Sequence, residues 1–265
     1  MSHLLYEVEN GVAYLTMNRP EVRNALSLEM REQLLRTFQE LETDASVRCV
    51  VLRGHGEHFM AGGDVKSFFD FTKLTPAERR VTFINRIQAN LNGLISTMRR
   101  LNKPIIASVN GAAAGAGVSL ALSCDLVVAS DNAFFTLAYS HIASSPDGGA
   151  TYFLPRLVGT KKAMEIALLG DRFGAQEAKD IGMINRVVPA DELEAQTRAL
   201  AERLAKGPTK AYGNIKKLIS SSLEHSLEYQ LQAEAETFGD TVTADDWVEG
   251  VTAFNEKRKP VFSGR

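Results

Sequence analysis

Apolar and polar residues alternate at the start of the chain. The runs LLYEVE and VAYLTM lie on either side of Asn10-Gly11, and an Asn-Gly pair between two alternating runs is typical of a β-hairpin. Helical spacing then replaces the alternation, and Ser27 stands where a helix cap is expected. The apolar residues with this spacing are Met30, Leu34, Phe38 and Leu41. The pattern therefore predicts a hairpin followed by an amphipathic helix.

Longer apolar runs mark the middle of the chain. The run VRCVVLRG, residues 47–54, is nearly continuous, which is typical of a strand buried on both faces. A glycine-rich loop and a polar, mixed stretch follow, and Thr75-Pro76 begins a helix that is predicted to reach about residue 101. The next predicted elements are a strand at 105–109, a helix at about 115–122, a strand at 125–129 and a short strand at 133–137.

Helices dominate the remaining sequence. They are predicted at about 149–157, 160–169 and 175–180, and the run INRVVP forms a late strand. From residue 190 onward the pattern is helical and is interrupted at Gly207-Pro208. Strands that alternate with helices, followed by helices alone, indicate an α/β protein with a helical C-terminal part. We therefore divide the chain into an α/β core, residues 1–190, and a helical region, residues 191–265.

Composition limits the partners and the compartment. The 265 residues carry a net charge of −2, so the sequence has no excess of positive charge of the kind that binds nucleic acid or an anionic membrane. Cys49 and Cys124 lie in apolar runs, as reduced core thiols do. The N-terminal MSHLLYEVENG is unlike a signal peptide, and no apolar run approaches the length of a membrane span. We expect a cytoplasmic protein with no membrane or nucleic-acid partner.

Several common chemistries find no matching motif. His55 and His58 have no third ligand at useful spacing, so no metal is expected. Leu120 occupies the place of the third glycine in the dinucleotide fingerprint that Gly115-Ala116-Gly117 begins. The sequence has neither a Gly-x-Ser-x-Gly elbow nor a phosphate-binding Lys-Ser/Thr loop. No bound cofactor is expected.

Two junctions between a strand and a helix are built from tiny residues: Ala61-Gly62-Gly63-Asp64 and Gly115-Ala116-Gly117. Small side chains leave backbone N–H groups uncovered, and the first N–H groups of a helix have no intrahelical partner. Two such groups aimed at one point would form an oxyanion hole. Close packing of a helix on a strand also selects small residues, and the spacing alone leaves both interpretations open.

These two junctions belong to a longer series of motifs. Together with NRPEVRNAL (18–26), SCDLVVAS (123–130) and SPDGGATYFLPRLVG (145–159), the chain resembles the enoyl-CoA hydratase/isomerase, or crotonase, superfamily. The resemblance extends from the first hairpin to FNEKRKP near the C-terminus. It implies a spiral of ββα units, a helical C-terminal trimerisation region that also contacts coenzyme A, and a homotrimer or a hexamer built as a dimer of trimers. It also implies an acyl-CoA thioester substrate.

The resemblance assigns roles to individual positions. Backbone N–H groups of Gly63 and Ala116 would bind the thioester oxygen as it becomes an enolate. The positions that match coenzyme A contacts are Arg23, Ala25, Ala61, Asp64, Val65, Phe254 and Lys257. Lys257 would reach a coenzyme A phosphate, in its own subunit or on a neighbouring one, and a solvated helix residue is the alternative. For Asp64, a structural cap is favoured over a role in the chemistry.

The sequence departs from the family hydratases at both catalytic glutamates. Ser119 and Tyr139 occupy the matching positions, and neither side chain supplies a carboxylate base. Asp147 lies eight residues after Tyr139, where several family isomerases, hydrolases and a dehalogenase carry an aspartate. A single carboxylate suits the transfer of one proton between two carbons. A helix N-cap is the structural alternative for Asp147.

Other side chains are expected to shape the acyl pocket. Tyr139 would donate a hydrogen bond or form a wall, with the wall favoured, and Ser119 would be a small residue that widens the site. Phe68, Phe69 and Phe71 would line an acyl channel, and ordinary core packing is the alternative for them.

The favoured reaction is isomerisation of a 3-enoyl-CoA to a 2-enoyl-CoA with Asp147 as the base. Hydration of an enoyl-CoA, thioester or halide displacement, and a non-catalytic CoA-binding subunit are the alternatives that the substituted glutamates leave open.

Overall fold

The predicted N-terminal hairpin forms one edge of a six-stranded sheet. The computed structural model describes residues 2–265. These residues form nine strands: β1 (Leu4–Glu9), β2 (Val12–Met17), β3 (Cys49–Gly54), β4 (Ile105–Val109), β5 (Ala112–Ala114), β6 (Leu126–Ser130), β7 (Phe134–Thr136), β8 (Phe173–Gly174) and β9 (Arg186–Val188). The larger sheet has the order β1-β2-β3-β4-β6-β9, and β5-β7-β8 form a second sheet. In the larger sheet only the β1–β2 pair is antiparallel.

Ten α-helices accompany the strands in residues 2–265: α1 (Leu28–Thr43), α2 (Pro76–Arg86), α3 (Gly93–Arg100), α4 (Ala116–Ser123), α5 (Ala150–Leu169), α6 (Ala175–Asp180), α7 (Leu193–Ala205), α8 (Thr209–Ser221), α9 (Leu227–Thr241) and α10 (Asp245–Glu256). The α/β class and the helical C-terminal region are therefore confirmed. None of these helices combines the length and hydropathy that a bilayer crossing requires.

Local sequence explains where the first two helices begin. The Ser27 hydroxyl accepts the N–H of Met30 at 3.1 Å, as its position before α1 predicts. Thr75 and Glu78 form a capping box at α2. A π-helical turn, Ile87–Asn92, joins α2 to α3, so that the long predicted helix is continuous but not uniformly α-helical.

Two segments differ from the sequence prediction. The small-residue turn after β4 contains a strand, β5, because its backbone pairs with β7. The mixed stretch after Asp64 forms 3-10 turns over Val65–Lys73. The helices predicted at 149–157 and 160–169 are both present within α5, where Gly159, at φ 76° and ψ 160°, separates them.

The larger sheet is buried on both faces. Val50 and Leu52 of β3 belong to one apolar cluster, and Cys49 and Val51 belong to another that includes Leu200 of α7. The prediction of a strand covered on both sides is confirmed. Cys49 and Cys124 are free, buried thiols, as expected, and burial raises the pKa of Cys49 to about 12.

Helix α8 is attached to the core by a buried ion pair. The Lys216 ammonium lies 2.8 Å from Asp125 Oδ2 and donates to the carbonyl oxygen of Met98 at 2.9 Å. Arg99 lies 3.3 Å from the other oxygen of Asp125. Beyond this attachment, α8 to α10 expose large apolar side chains: Ile219, Leu223, Leu227, Phe238 and Phe254.

Candidate functional site

The two small-residue junctions lie side by side. The N–H of Met60 donates to Ala112 O, and the N–H of Ala114 donates to Met60 O, both at 2.9 Å. Gly62 has φ +98°, and a Cβ on it would lie 3.1 Å from Ala114 O and 3.8 Å from the nitrogen of Ala116. This close approach at a positive φ explains why glycine is needed at position 62.

Backbone N–H groups at this crossing lack protein partners. Within residues 2–265, neither Gly63 nor Ala116 donates its N–H to another protein group. Ala116 is the first residue of α4, where an N–H has no intrahelical acceptor. Two free donors beside one crossing are what an oxyanion hole requires.

Asp147 is held at the same place by two hydroxyl groups. Tyr139 donates its phenolic O–H to Asp147 Oδ1 at 2.6 Å. Ser119 donates its hydroxyl to the main-chain oxygen of Asp147 at 2.8 Å. Gly149 occupies the N-cap position of α5, and no side chain caps it. The cap alternative for Asp147 is therefore wrong, because its carboxylate is bound to Tyr139.

Tyr139 connects Asp147 to the junction. Two atoms of its ring would lie 3.8 Å from a Cβ built on Gly115, the residue before Ala116. Burial, and then the charge of Asp147, raise the pKa of Tyr139 well above its usual range. The phenol therefore stays protonated and donates. Of the two roles considered for Tyr139, the structure shows the hydrogen-bond donor, and the wall of the acyl pocket stays a prediction.

Ser119 does not open space in the site. Its side chain is fully buried, and a Cβ on Gly148 would lie 2.9 Å from Ser119 Cβ. The loop at Asp147 therefore fills the room that a larger residue at 119 would take. The expectation that Ser119 widens the site is wrong, because its hydroxyl instead fixes the Asp147 backbone.

Phe68 approaches the first junction, as expected for a pocket residue. Its Cζ would lie 3.3 Å from a Cβ on Gly63. The rings of Phe68 and Phe71 each meet Phe83 edge to face, at centroid distances of 5.1 and 5.5 Å. Phe69 is 70% exposed and makes no such pair, so its predicted place in a channel is wrong. Turns of 3-10 geometry place residues 68 and 71 on one face, and residue 69 on another.

Three coenzyme A candidates lie beside the first junction. The N–H of Ala61 donates to Arg23 O at 2.9 Å, and Arg23 has φ +52°. The oxygen of Ala25 accepts from Arg19 Nη1 at 2.7 Å. The segment around residues 23–26 and the segment around 61–63 are thus neighbouring backbones.

Asp64 and Val65 continue this neighbourhood. Arg19 Nη1 also donates to Asp64 Oδ2, at 3.1 Å. Asp64 stands before the 3-10 turns, but its side chain makes no capping hydrogen bond. The cap expected of the Asp64 side chain is therefore replaced by an ion pair with Arg19. Val65 is 48% exposed, so its surface is open to a ligand.

The structure does not bring the two C-terminal candidates into this group. Phe254 is 83% exposed, and Lys257 ends α10 with φ +54°. Among residues 2–265, neither forms a hydrogen bond or ion pair with the other candidates through its side chain. Both alternatives for Lys257 remain.

Two buried polar residues near the site carry little signal in the sequence. Asn24 is fully buried and donates Nδ2 to the main-chain oxygens of His55 and His58, at 3.0 and 2.6 Å. Arg31 is 6% exposed on the inner face of α1. A cation three residues before the buried Leu34 is the one sign in the sequence that could have drawn attention to Arg31.

A cavity of about 800 Å³ lies away from this group. It is located between α3, α5 and α8, and its lining includes Arg99, Tyr152 and Ile219. None of the candidate site residues lines it. Within residues 2–265, no cluster of three or more His, Cys, Asp or Glu side chains is placed to hold a metal ion.

Comparison with known proteins decides the family. The model of the enoyl-CoA hydratase/isomerase family matches residues 7–265. The chain belongs to this family. Family membership makes it an enzyme that acts on acyl-CoA substrates, and it confirms the crotonase fold that the motifs suggested.

Family relatives carry both isomerase and hydratase names. The 1,2-epoxyphenylacetyl-CoA isomerase of Escherichia coli is 38% identical over 265 residues, which is 100% of each chain. The trans-2-decenoyl-[acyl-carrier-protein] isomerase of Streptococcus mutans is 32% identical over 99% of this chain and 98% of its own. A solved enoyl-CoA hydratase subunit I of Geobacillus kaustophilus has a TM-score of 0.90 at 35% identity, covering 99% of this chain and 98% of that one.

Proposed function

We propose that this family member isomerises 3-enoyl-CoA thioesters to 2-enoyl-CoA thioesters. The observation that carries the proposal is the position of Asp147, whose carboxylate is bound by Tyr139 beside the two uncovered amides. Ser119 and Tyr139 leave the two glutamate positions of family hydratases without a carboxylate. A proton shuttle needs one base, whereas two-glutamate hydration needs two.

Proton transfer begins at C2 of the acyl group. Oδ1 of Asp147 accepts from Tyr139, whereas Oδ2 has no hydrogen bond within residues 2–265 and is free to take the proton. The C–H electron pair forms the C1–C2 π bond of a dienolate, and the thioester carbonyl pair moves onto oxygen. The N–H groups of Gly63 and Ala116 stabilise that oxygen. The proton then returns from Asp147 to C4, the 2,3 double bond forms, and the thioester carbonyl is restored.

The coenzyme A moiety would lie along the neighbouring backbones of the first junction. Arg23, Ala25, Ala61, Asp64 and Val65 share this surface through the contacts of Arg19 and Arg23. Phe254 and Lys257 would contribute from α10, in the same subunit or in a neighbouring one. The apolar side chains exposed on α8 to α10 support a homotrimer or hexamer formed through residues 191–265. Light scattering of the purified protein measures this assembly, and a monomer at all concentrations contradicts it.

Product analysis tests the reaction. The purified enzyme is incubated with 2- and 3-enoyl-CoA panels, and products are followed by mass spectrometry and by proton NMR of the double bond. We expect 3-enoyl substrates to become 2-enoyl products with no change in mass. Asp147→Asn keeps an acceptor for Tyr139 but loses the base, so turnover should fall by about 10²- to 10⁴-fold.

The matched control is Asp131→Asn, at an exposed aspartate outside the site, which should keep full turnover. If 2-enoyl substrates gain one water and no double bond migrates, the reaction is hydration, and the proposal of isomerisation is wrong. Release of free coenzyme A would indicate thioester hydrolysis instead. Full isomerase activity in Asp147→Asn would show that Asp147 is not the base.

A further inference from the structure

Arg31 carries a buried charge with unused donors. Arg31 is 6% exposed, and its Nε is buried without a hydrogen-bond partner within residues 2–265. Within residues 2–265, the one hydrogen bond of the guanidinium is donated by Nη1 to Arg86 O at 3.2 Å. A guanidinium has five N–H donors, and burying them unpaired is costly. An unpaired polar group in a protein interior calls for an explanation, and an ion or ligand that completes its hydrogen bonds is one.

An aromatic wall leads from the first junction to Arg86. Phe68 lies against Gly63, and its ring meets Phe83. Phe83 in turn meets Phe71, and the Arg86 guanidinium carbon lies 4.9 Å from the centre of the Phe71 ring. The wall therefore runs from a proposed amide donor to the residue whose carbonyl Arg31 binds.

The loop that carries Asp147 also lies close to the segment that follows Arg86. A Cβ on Gly148 would lie 3.7 Å from Cδ2 of Leu91. Leu91 is 2% exposed and belongs to the π-helical turn that directly follows Arg86. Turns of this kind occur frequently at functional sites. The segment 86–91 therefore approaches the aromatic wall through Arg86 and the loop that carries Asp147 through Leu91.

Charge at this end favours an anion. Burial lowers the pKa of Arg31, and the neighbouring Arg86 lowers it further, whereas Asp147 and the exposed Glu32 raise it. The field of the proposed base therefore reaches Arg31. Within residues 2–265, no hydrogen bond joins the Asp147 carboxylate to Arg31, so the proposed base does not complete the donors of the guanidinium.

We infer that Arg31 binds a carboxylate at the far end of the substrate's acyl group, so that the substrate class is a dicarboxylic acid mono-CoA thioester. This inference rests on the proposed function for the location of the acyl group. The aromatic wall packs along the chain, and the buried guanidinium pairs with the terminal carboxylate. Arg86, with its side chain over Phe71, adds positive charge at the same end.

Binding of saturated thioesters tests the inference without any turnover. Calorimetry compares the six-carbon dicarboxylic mono-CoA thioester with hexanoyl-CoA, and the eight-carbon pair in the same way. The wild type should bind the dicarboxylic member of at least one pair about tenfold or more tightly, the ratio that one charge-assisted hydrogen bond supports. Arg31→Gln should abolish that preference and leave the affinity for the methyl-ended thioester unchanged.

Arg36→Gln is the matched control, since it removes an exposed cation from the same helix and should keep the preference. Arg31→Lys retains the positive charge and should keep part of the preference for the dicarboxylic thioester. Equal or weaker binding of both dicarboxylic thioesters by the wild type overturns the inference, whether or not the variants fold. A preference that survives Arg31→Gln, or an equal loss for both members of a pair, also overturns it. Failure of the proposed isomerisation would appear in the turnover assay instead, with this binding preference intact.

Discussion

The Tyr139 hydroxyl donates to Asp147 Oδ1 at 2.6 Å, and this bond links a substituted glutamate position to the proposed base. Ser119, at the other substituted position, holds the main-chain oxygen of Asp147 at 2.8 Å. Both positions that the family resemblance matches to hydratase glutamates therefore carry a hydroxyl that holds one aspartate in this protein. A hydroxyl donor stabilises a carboxylate and fixes its orientation.

Removing the Tyr139 hydroxyl should weaken the base without removing it. Tyr139→Phe loses a charge-assisted hydrogen bond, and kcat/KM for isomerisation should fall by about 10- to 100-fold. The pH dependence of the rate is measured for the variant and for the wild type. Since the pKa of Tyr139 is raised by burial and by Asp147, its ionisation should not shape the profile near neutral pH.

Tyr152→Phe supplies the comparison for this variant. The Tyr152 hydroxyl also donates to a carboxylate, that of Glu224, but on an exposed surface. Its loss should leave kcat/KM for isomerisation unchanged. An equal kcat/KM in Tyr139→Phe and wild type would show that the hydroxyl has no part in supporting the base.

Gly62→Ala should disturb the amide donors through the backbone. The residue has φ +98°, and its new Cβ would lie 3.1 Å from Ala114 O and 3.8 Å from the Ala116 nitrogen. The strain should lower the free energy of unfolding by about 1–2 kcal/mol. Displacement of an oxyanion donor should lower turnover by about 10²-fold. Chemical denaturation and isomerase kinetics measure the two effects.

Gly159→Ala separates strain from position. Gly159 also has a positive φ, +76°, and nothing lies within 4 Å of a Cβ built there. This variant should lose stability without losing turnover per folded molecule. Equal turnover in Gly62→Ala and Gly159→Ala would argue against the placement of the donors at the crossing.

Glu249 should make the C-terminal segment sensitive to acid. Its carboxylate binds Arg258 and accepts the N–H of Val261, and these hydrogen bonds lower its pKa from 4.5 to about 2. A depressed pKa gives stability that is present above pH 4.5 and is lost as the pH falls toward about 2. Glu249→Gln should therefore differ most from wild type at neutral pH, with the difference shrinking through this window.

Thermal unfolding across a series from neutral to acid pH measures this difference. Glu234→Gln, at an exposed glutamate of α9 without a recorded ion pair in residues 2–265, should show no such pH-dependent difference. A difference between Glu249→Gln and wild type that stays constant down to the lower end of the window would contradict the assigned linkage.

Sequence patterns predicted most elements because local physics determines them. The Asn10-Gly11 turn, the Ser27 cap and the capping box at Thr75 each depend on residues a few positions apart. Strand β5 was not predicted, since three alanines carry no alternation and gain their pairing from β7. The exposure of Phe69 was likewise missed, because the phase of a 3-10 segment depends on what it packs against.

The sequence by itself determined the α/β class, the two small-residue junctions and the absence of carboxylates at positions 119 and 139. These follow from side-chain size, charge and spacing along one chain. Only the tertiary structure decided that Tyr139 and Ser119 both hold Asp147, that Arg19 pairs with Asp64, and that Arg31 is buried near the end of the aromatic wall. Those relationships join residues on separate elements, and a hydrogen bond between them depends on ångström-scale packing that no spacing along the chain encodes.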